Sequence, residues 1–266
     1  MTKLFAHVFA VVLFCQATQA RLEPGTTEGY QALPLQTPAL TVFAASDLVA
    51  ALKELIPAFE GASRSTVTLV TGSTGTLAQQ IQHGAPADVF FAANESFVDD
   101  LAKRDVVLPG TRTIYARGRI VIAALKSGPL QPRTLEDLTK PGVRRIAMAN
   151  PAHAPYGLAA QQALEAAGLW GRLKPKLVYA ENVQQALQFV QSGAAEAGIV
   201  ARSIVEVPEL SWVLVDSSRH APLNQAAAVL KRTRQPALAM SFLRFVSGGQ
   251  GRPVMKRLGF LLPGDF

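Results

Sequence analysis

From Ala39 onward the chain switches repeatedly between two patterns of apolar and polar positions. Ala39 to Ala45 is a nearly unbroken apolar run, the signature of a buried strand, and Leu48, Leu52, Leu55, Ile56 and Phe59 then form a helical stripe. The stretch from Thr66 to Ala93, closed by Asn94, reads as strand, glycine turn, helix, turn and strand. Val67, Leu69 and Val70 are β-formers, Gly72 and Gly75 bracket Ser73 and Thr74, Leu77 and Ile81 stand one helical turn apart, and Val89-Phe90-Phe91 closes the unit. This is a βαβ unit, and Phe97, Val98 and Leu101 mark a further helix.

From Arg112 the pattern turns extended, with strands expected at Thr113 to Ala116 and Arg119 to Leu125. Leu135 and Leu138 predict a short helix closed by Pro141-Gly142, Ile146 to Ala149 a strand, and Gly157 to Ala167 a helix ended by Gly168. Val183, Leu187 and Val190 share a helical face, and Ala197 to Ala201 is a short strand. Trp212 to Val215 and Ala226 to Leu230 are the last strands, followed by helices around Leu238 to Val246 and Gln250 to Leu258.

Repeated strand-then-helix order predicts an α/β fold of mainly parallel sheets covered by helices. Ligands in such folds sit beyond the carboxyl ends of strands, beside helix N-termini. Four turns fit that position: Ala45-Ser46-Asp47, Gly72-Ser73-Thr74-Gly75, Asn150 to Gly157, and Glu181-Asn182-Val183. The glycine turn combines small hydroxyls with backbone N–H groups at a helix start, where the helix dipole favours an anion. The same residue types also serve as ordinary helix caps, so the turn alone does not decide between the two roles.

The N-terminus changes the picture of location. Lys3, an apolar run from Leu4 to Phe14 and the exit Ala17-Thr18-Gln19-Ala20 describe a secretory signal peptide, with cleavage expected after Ala20. Cys15, the only cysteine, falls inside it, which removes disulfides, thiolate catalysis and cysteine metal sites from the mature chain. Residues 21–38, rich in Pro, Gly and Thr, read as a flexible leader. The net charge of +7 is spread along the chain rather than clustered with aromatics, so it favours anions in general over a nucleic-acid surface.

Several chemistries are missing. No Lys follows the glycines of the turn, so it is not a nucleotide phosphate loop, and Thr71 stands where a nucleophile elbow needs Gly. His83, His153 and His220 are far apart, without metal-ligand spacing, and read as scattered surface or turn residues. Asp99-Asp100 belongs to a solvated helix face. The candidate turns are rich in neutral donors, which favours binding over catalysis.

With these residues in view, the chain resembles the periplasmic molybdate-binding proteins that feed ABC transporters. The resemblance runs from Thr41 to Pro263 and is carried by TVFAASDL at 41–48, GSTGTLAQQIQHGAPADVFFAAN at 72–94, NPAHAPYGLAA at 150–160 and AENVQQAL at 180–187. It implies a two-lobed periplasmic binding protein fold (type II) with a hinge of crossing strands. The first lobe would comprise residues 39–117 and 226–266, and the second 118–225. It implies no enzyme activity and no cofactor: the ligand is a tetrahedral oxyanion, molybdate or tungstate, and the partner is an inner-membrane permease served by a monomer. Carried over by position, the contacts are Ser46 through hydroxyl and N–H, Asp47 through its N–H, Thr74 through hydroxyl and N–H, and the N–H groups of Tyr156 and Val183.

Two departures from some relatives matter. Ala201 replaces a Tyr that contacts the anion in one branch, and Asp47 puts a carboxylate beside a dianion. Like charges in a partly desolvated site repel, so the Asp47 side chain is expected to turn away and cap the helix that begins near Leu48. Selectivity over sulfate would follow from donors fixed for longer metal–oxygen bonds. The rival readings are a receptor for another small anion and an exported hydrolase using Ser73 or Thr74, for which the motifs supply no base.

Overall fold

The apolar runs become strands buried on both faces, because helices cover both. In the computed structural model, which describes residues 37–266, the chain opens with β1 (Ala39–Ala45), a 3-10 turn at Ser46–Leu48 and α1 (Val49–Ser63). The expected signal peptide, with Cys15, and the leader up to residue 36 lie outside the described residues. There follow β2 (Thr66–Gly72), α2 (Thr74–Gln82), β3 (Val89–Ala92), α3 (Glu95–Lys103) and β4 (Thr113–Gly118). The next elements are β5 (Ile120–Leu125), a 3-10 helix at Leu135–Thr139, β6 (Ile146–Ala149), α4 (Pro155–Ala166), α5 (Trp170–Leu173), β7 (Leu177–Ala180), α6 (Val183–Gln191), β8 (Ala197–Ala201) and β9 (Leu210–Leu214). The chain closes with β10 (Leu223–Val229), α7 (Pro236–Ser247) and α8 (Gly251–Arg257).

The strands form two five-stranded sheets, ordered β2-β1-β3-β10-β4 and β7-β6-β8-β5-β9. In the first, β1 pairs in parallel with β2 and β3, while β10 runs antiparallel to β3 and β4. The second repeats the scheme: β6 is parallel to β7 and β8, and β5 is antiparallel to β8 and β9. Four of the five strands of each sheet thus point the same way, in keeping with the expectation of mainly parallel sheets, and one reversed strand, β10 or β5, makes each sheet mixed. The cause is the connection between the lobes: β4 carries the chain toward the second sheet and β10 brings it back, so the two run in opposite senses.

Strand periodicity divides the first lobe into two cores. Val89 and Phe91 face the side covered by α1, α7 and α8, whereas Phe90 and Ala92 face the side covered by α2 and α3. On the first side Phe242 meets Phe59 with ring centroids 4.9 Å apart at 78° and Phe91 at 6.0 Å and 90°, the edge-to-face geometry that aromatic quadrupoles favour. The second lobe is built around Ile120 to Ala124, Ile146 to Ala149 and Ile199, covered by Ala160, Leu164, Leu187 and Val190. Burying each such side chain contributes about 1.5–3 kcal/mol, so both lobes have cores of their own.

Candidate functional site

All four turns singled out in the sequence lie at the carboxyl ends of the parallel strands β1, β2, β6 and β7. Each turns into a helix or 3-10 turn whose N-terminus faces the gap between the lobes. Ser73 caps α2 and Asn182 caps α6, their side-chain oxygens accepting from the amides of Thr76 and Gln185, and Pro155 occupies the first position of α4. Thr74 and Val183 are therefore first residues of their helices and Tyr156 a second residue. Amides at these positions have no acceptor within the helix.

The turns enclose a cavity of ≈ 10 Å³, the room that one water-sized species needs for its centre. Ser46, Asp47, Thr74, Tyr156 and Val183, the five residues anticipated from the sequence, all line it, and none is more than 4% exposed. No Lys, Arg or His side chain is among the lining residues. The Thr74 hydroxyl oxygen accepts the Ala93 amide at 3.0 Å, which leaves its proton free to be donated.

Ser73 is engaged elsewhere. Its Oγ lies 2.8 Å from His153 Nδ1 and donates to Thr76 Oγ1 at 2.8 Å, and Thr76 Oγ1 in turn donates to Glu181 at 3.0 Å. With the His153 proton on Nδ1, the chain of hydrogen bonds runs in one direction from the second lobe to the first and back. The Gly75 amide adds a main-chain bond to the His153 carbonyl at 2.9 Å. A Cβ on Gly75 would sit 2.6 Å from that oxygen, so the glycine serves the approach of the two lobes. His153 sits in the turn before α4, as the sequence reading had it, and its ring is engaged with Ser73 across the cleft. His153 does lie beside Ser73, yet with its proton on Nδ1 it donates to this hydroxyl, and Ser73, a buried residue, gives its own proton to Thr76.

The expectation for Asp47 is overturned. Its carboxylate caps no helix: neither the 3-10 turn at Ser46–Leu48 nor α1 has a side-chain cap. It is fully buried, and Oδ2 accepts from Gln225 Nε2 at 2.7 Å and from the Tyr156 hydroxyl at 3.0 Å, while Oδ1 has no partner. Tyr115 fixes the Gln225 amide by donating to its Oε1 at 2.7 Å, and Ser203 Oγ donates to the Asp47 carbonyl at 2.8 Å. The cap failed because the chain enters a 3-10 turn at Ser46, which sends the next side chain inward. Desolvation pushes the Asp47 carboxyl up to about 6, against the lowering effect of its Gln225 and Tyr156 hydrogen bonds. Burial, and then the neighbouring Asp47 charge, hold the Tyr156 hydroxyl well above the usual phenol range.

Gln225, Ser203, Tyr115, Glu181 and His153 were not singled out in the sequence as site residues. Gln225 left little sign: it follows Asn224 at the polar start of β10, and of the two only Gln225 is wholly buried.

Residues 40–261 match the family model described as bacterial extracellular solute-binding protein. The molybdate-binding protein ModA of Azotobacter vinelandii is 32% identical over 245 residues, covering 91% of this chain and 97% of that protein. ModA of Escherichia coli (strain K12) is 30% identical over 229 residues, 84% of this chain and 89% of that one. Among solved structures, the periplasmic molybdate-binding protein of Azotobacter vinelandii superposes with a TM-score of 0.79 at 33% identity, covering 84% of this chain and 99% of that chain.

Proposed function

Because the chain belongs to the bacterial extracellular solute-binding protein family, we propose that it captures molybdate, or tungstate, between its lobes and delivers it to an ABC permease. The family binds solutes and does not convert them. The observation that carries the reading is that Thr74, Tyr156 and Val183, each in the first turn of a helix, line one buried cavity together with Ser46, and that no cationic side chain lines it. Curated relatives of similar length named as molybdate-binding support the choice of anion.

A dianion can be held without Lys or Arg when fixed N–H and O–H dipoles replace its hydration shell. Bonds to an ionised acceptor are about twice as strong as neutral ones. Five to seven of them in a closed cleft correspond to sub-micromolar binding, on the order of 8–10 kcal/mol. In this reading Ser46 contributes hydroxyl and N–H, Thr74 hydroxyl and N–H, and Asp47, Tyr156 and Val183 their N–H groups. On this account donors set for a large anion do not all reach the smaller sulfate or phosphate.

The same reading assigns residues 39–117 with 226–266 to one lobe and 118–225 to the other, with the mature protein released by cleavage near Ala20, acting in the periplasm as a monomer. Its test is thermal denaturation and calorimetric titration with molybdate, tungstate, sulfate and phosphate. The expected result is a marked rise in melting temperature with the first two and little with the others at equal concentration. Equal shifts for all four would favour a general small-anion receptor.

A further inference from the structure

One buried group is not accounted for by anion capture alone. Asp47 lines the cavity, yet its carboxyl can only add negative charge to a site meant for a dianion. Both donors that reach it, Gln225 and Tyr156, bind the same oxygen, and Oδ1 is left without a partner at zero exposure. An ionised carboxylate normally accepts on both oxygens, and an orphan acceptor in a closed interior is costly.

Among the described residues no cation bonds to the carboxyl, and the one buried guanidinium nitrogen left without a partner, Arg202 Nη1, is not among the groups that act on it. Facing Asp47 are Tyr156 from α4, Tyr115 from β4, which reaches it through Gln225 of β10, and Ser203 on its main-chain carbonyl. Of the elements packed on the Ser46–Leu48 turn, α6 carries no charged residue, and α1 holds Lys53 and Glu54 in solvent and Glu60 on the Val67 amide. Arg202, next to Ser203, is tied to Glu206 and lies over Trp212, and the nearby Arg119 donates to the Gly259 carbonyl.

We propose, resting on the reading of the cavity as a dianion site, that closure of the lobes on the anion places a proton on Oδ1 of Asp47, so that capture of each dianion takes up one proton from solvent. The new O–H bond turns the orphan acceptor into a donor, and the enclosed charge falls by one. Without ligand the carboxyl already titrates near 6, and an anion held on the amide of its own residue raises that value further. Coupling of this kind makes affinity rise as pH falls. It ends where the ligand-free protein is itself protonated.

The test is calorimetric titration of the full mature protein with molybdate between pH 6 and 8.5, in buffers of different ionisation enthalpy, alongside Asp47→Asn. The wild type is expected to take up close to one proton per anion at pH 7.5 and to lose about tenfold in affinity per pH unit above pH 7. Asp47→Asn should take up none, show a flat profile and bind more tightly than the wild type at pH 8.5. Molybdate binding by the wild type without proton uptake, or equal uptake by both proteins, overturns the inference while leaving molybdate capture intact. Failure of the wild type to bind molybdate at any pH removes the functional reading and this inference with it. Should Asp47→Asn not fold, the wild-type proton count by buffer variation still decides.

Discussion

The Gly75 amide donates to the His153 carbonyl across the cleft at 2.9 Å, and the position of a Cβ on Gly75 lies only 2.6 Å from that same oxygen. A methyl group there forces the lobes apart without disturbing either core. Gly75→Ala is therefore expected to weaken molybdate binding at least tenfold. Stability of the ligand-free protein should stay level or rise by up to about 1 kcal/mol, since Ala is the better helix former. Calorimetry with thermal denaturation checks both halves, and unchanged affinity would mean that the lobes do not need this approach.

Thr74 has two tasks that can be separated. Its Oγ1 accepts the buried Ala93 amide, and its proton is available to the cavity. Thr74→Ala should lose affinity and also about 1–3 kcal/mol of stability, because the Ala93 N–H is left without an acceptor. Thr74→Ser keeps both bonds and should stay near wild type in both measurements. A Thr74→Ala protein with full affinity would reduce Thr74 to a local structural role.

Asp47 gives a pH signature to the ligand-free protein. Its carboxyl titrates near 6 when folded and 3.8 when unconstrained, so between those values the folded state holds more protons and stability falls as pH rises. The loss levels off above pH 6 at on the order of 3 kcal/mol. Asp47→Asn carries an amide N–H lacking an acceptor, which costs about 1–2 kcal/mol at every pH, so it should fall somewhat below the wild type at pH 4 and exceed it at pH 7 by the ionisation penalty less that cost. Urea denaturation at pH 4, 5.5 and 7 reads the gap, and a gap independent of pH would contradict the buried ionisable carboxyl.

Phe242 tests the first lobe alone. Its ring contacts Phe59 and Phe91 at zero exposure. Phe242→Ala is expected to cost about 3–5 kcal/mol in chemical denaturation, while the folded fraction binds molybdate close to normally, because Phe242 does not line the cavity and connects to it only at one remove, through Phe91 and the Tyr115 that holds Gln225.

These cases also mark where the sequence was readable. The turns after β1, β2 and β6 could be found because strand and helix signals flank each of them, whereas Ser46, Thr74 and Val183 were picked out within the turns by the family resemblance. Strand β7 was missed: Leu177–Ala180 is four residues long and Tyr179 is exposed, too little pattern for a period of two. Asp47 was misread because a helix cap is a local inference, whereas its actual partners Tyr156 and Gln225 lie 109 and 178 positions away. The one reversed strand of each sheet, β10 and β5, was hidden for the same reason, since the direction of a returning strand depends on where the chain has been.

The hinge has a consequence for how such a molecule is assembled. The chain leaves the first sheet at Gly118 and re-enters it at Leu223, and these two residues are paired neighbours on β4 and β10. Topologically the second lobe is the tip of a hairpin, grown into a body with its own sheet; a short turn in place of residues 119–222 would leave β4 and β10 an ordinary antiparallel pair. Two of the four turns around the cavity come from that inserted tip and two from the host. Neither piece owns the cavity, which exists only as a joint product of host and insertion.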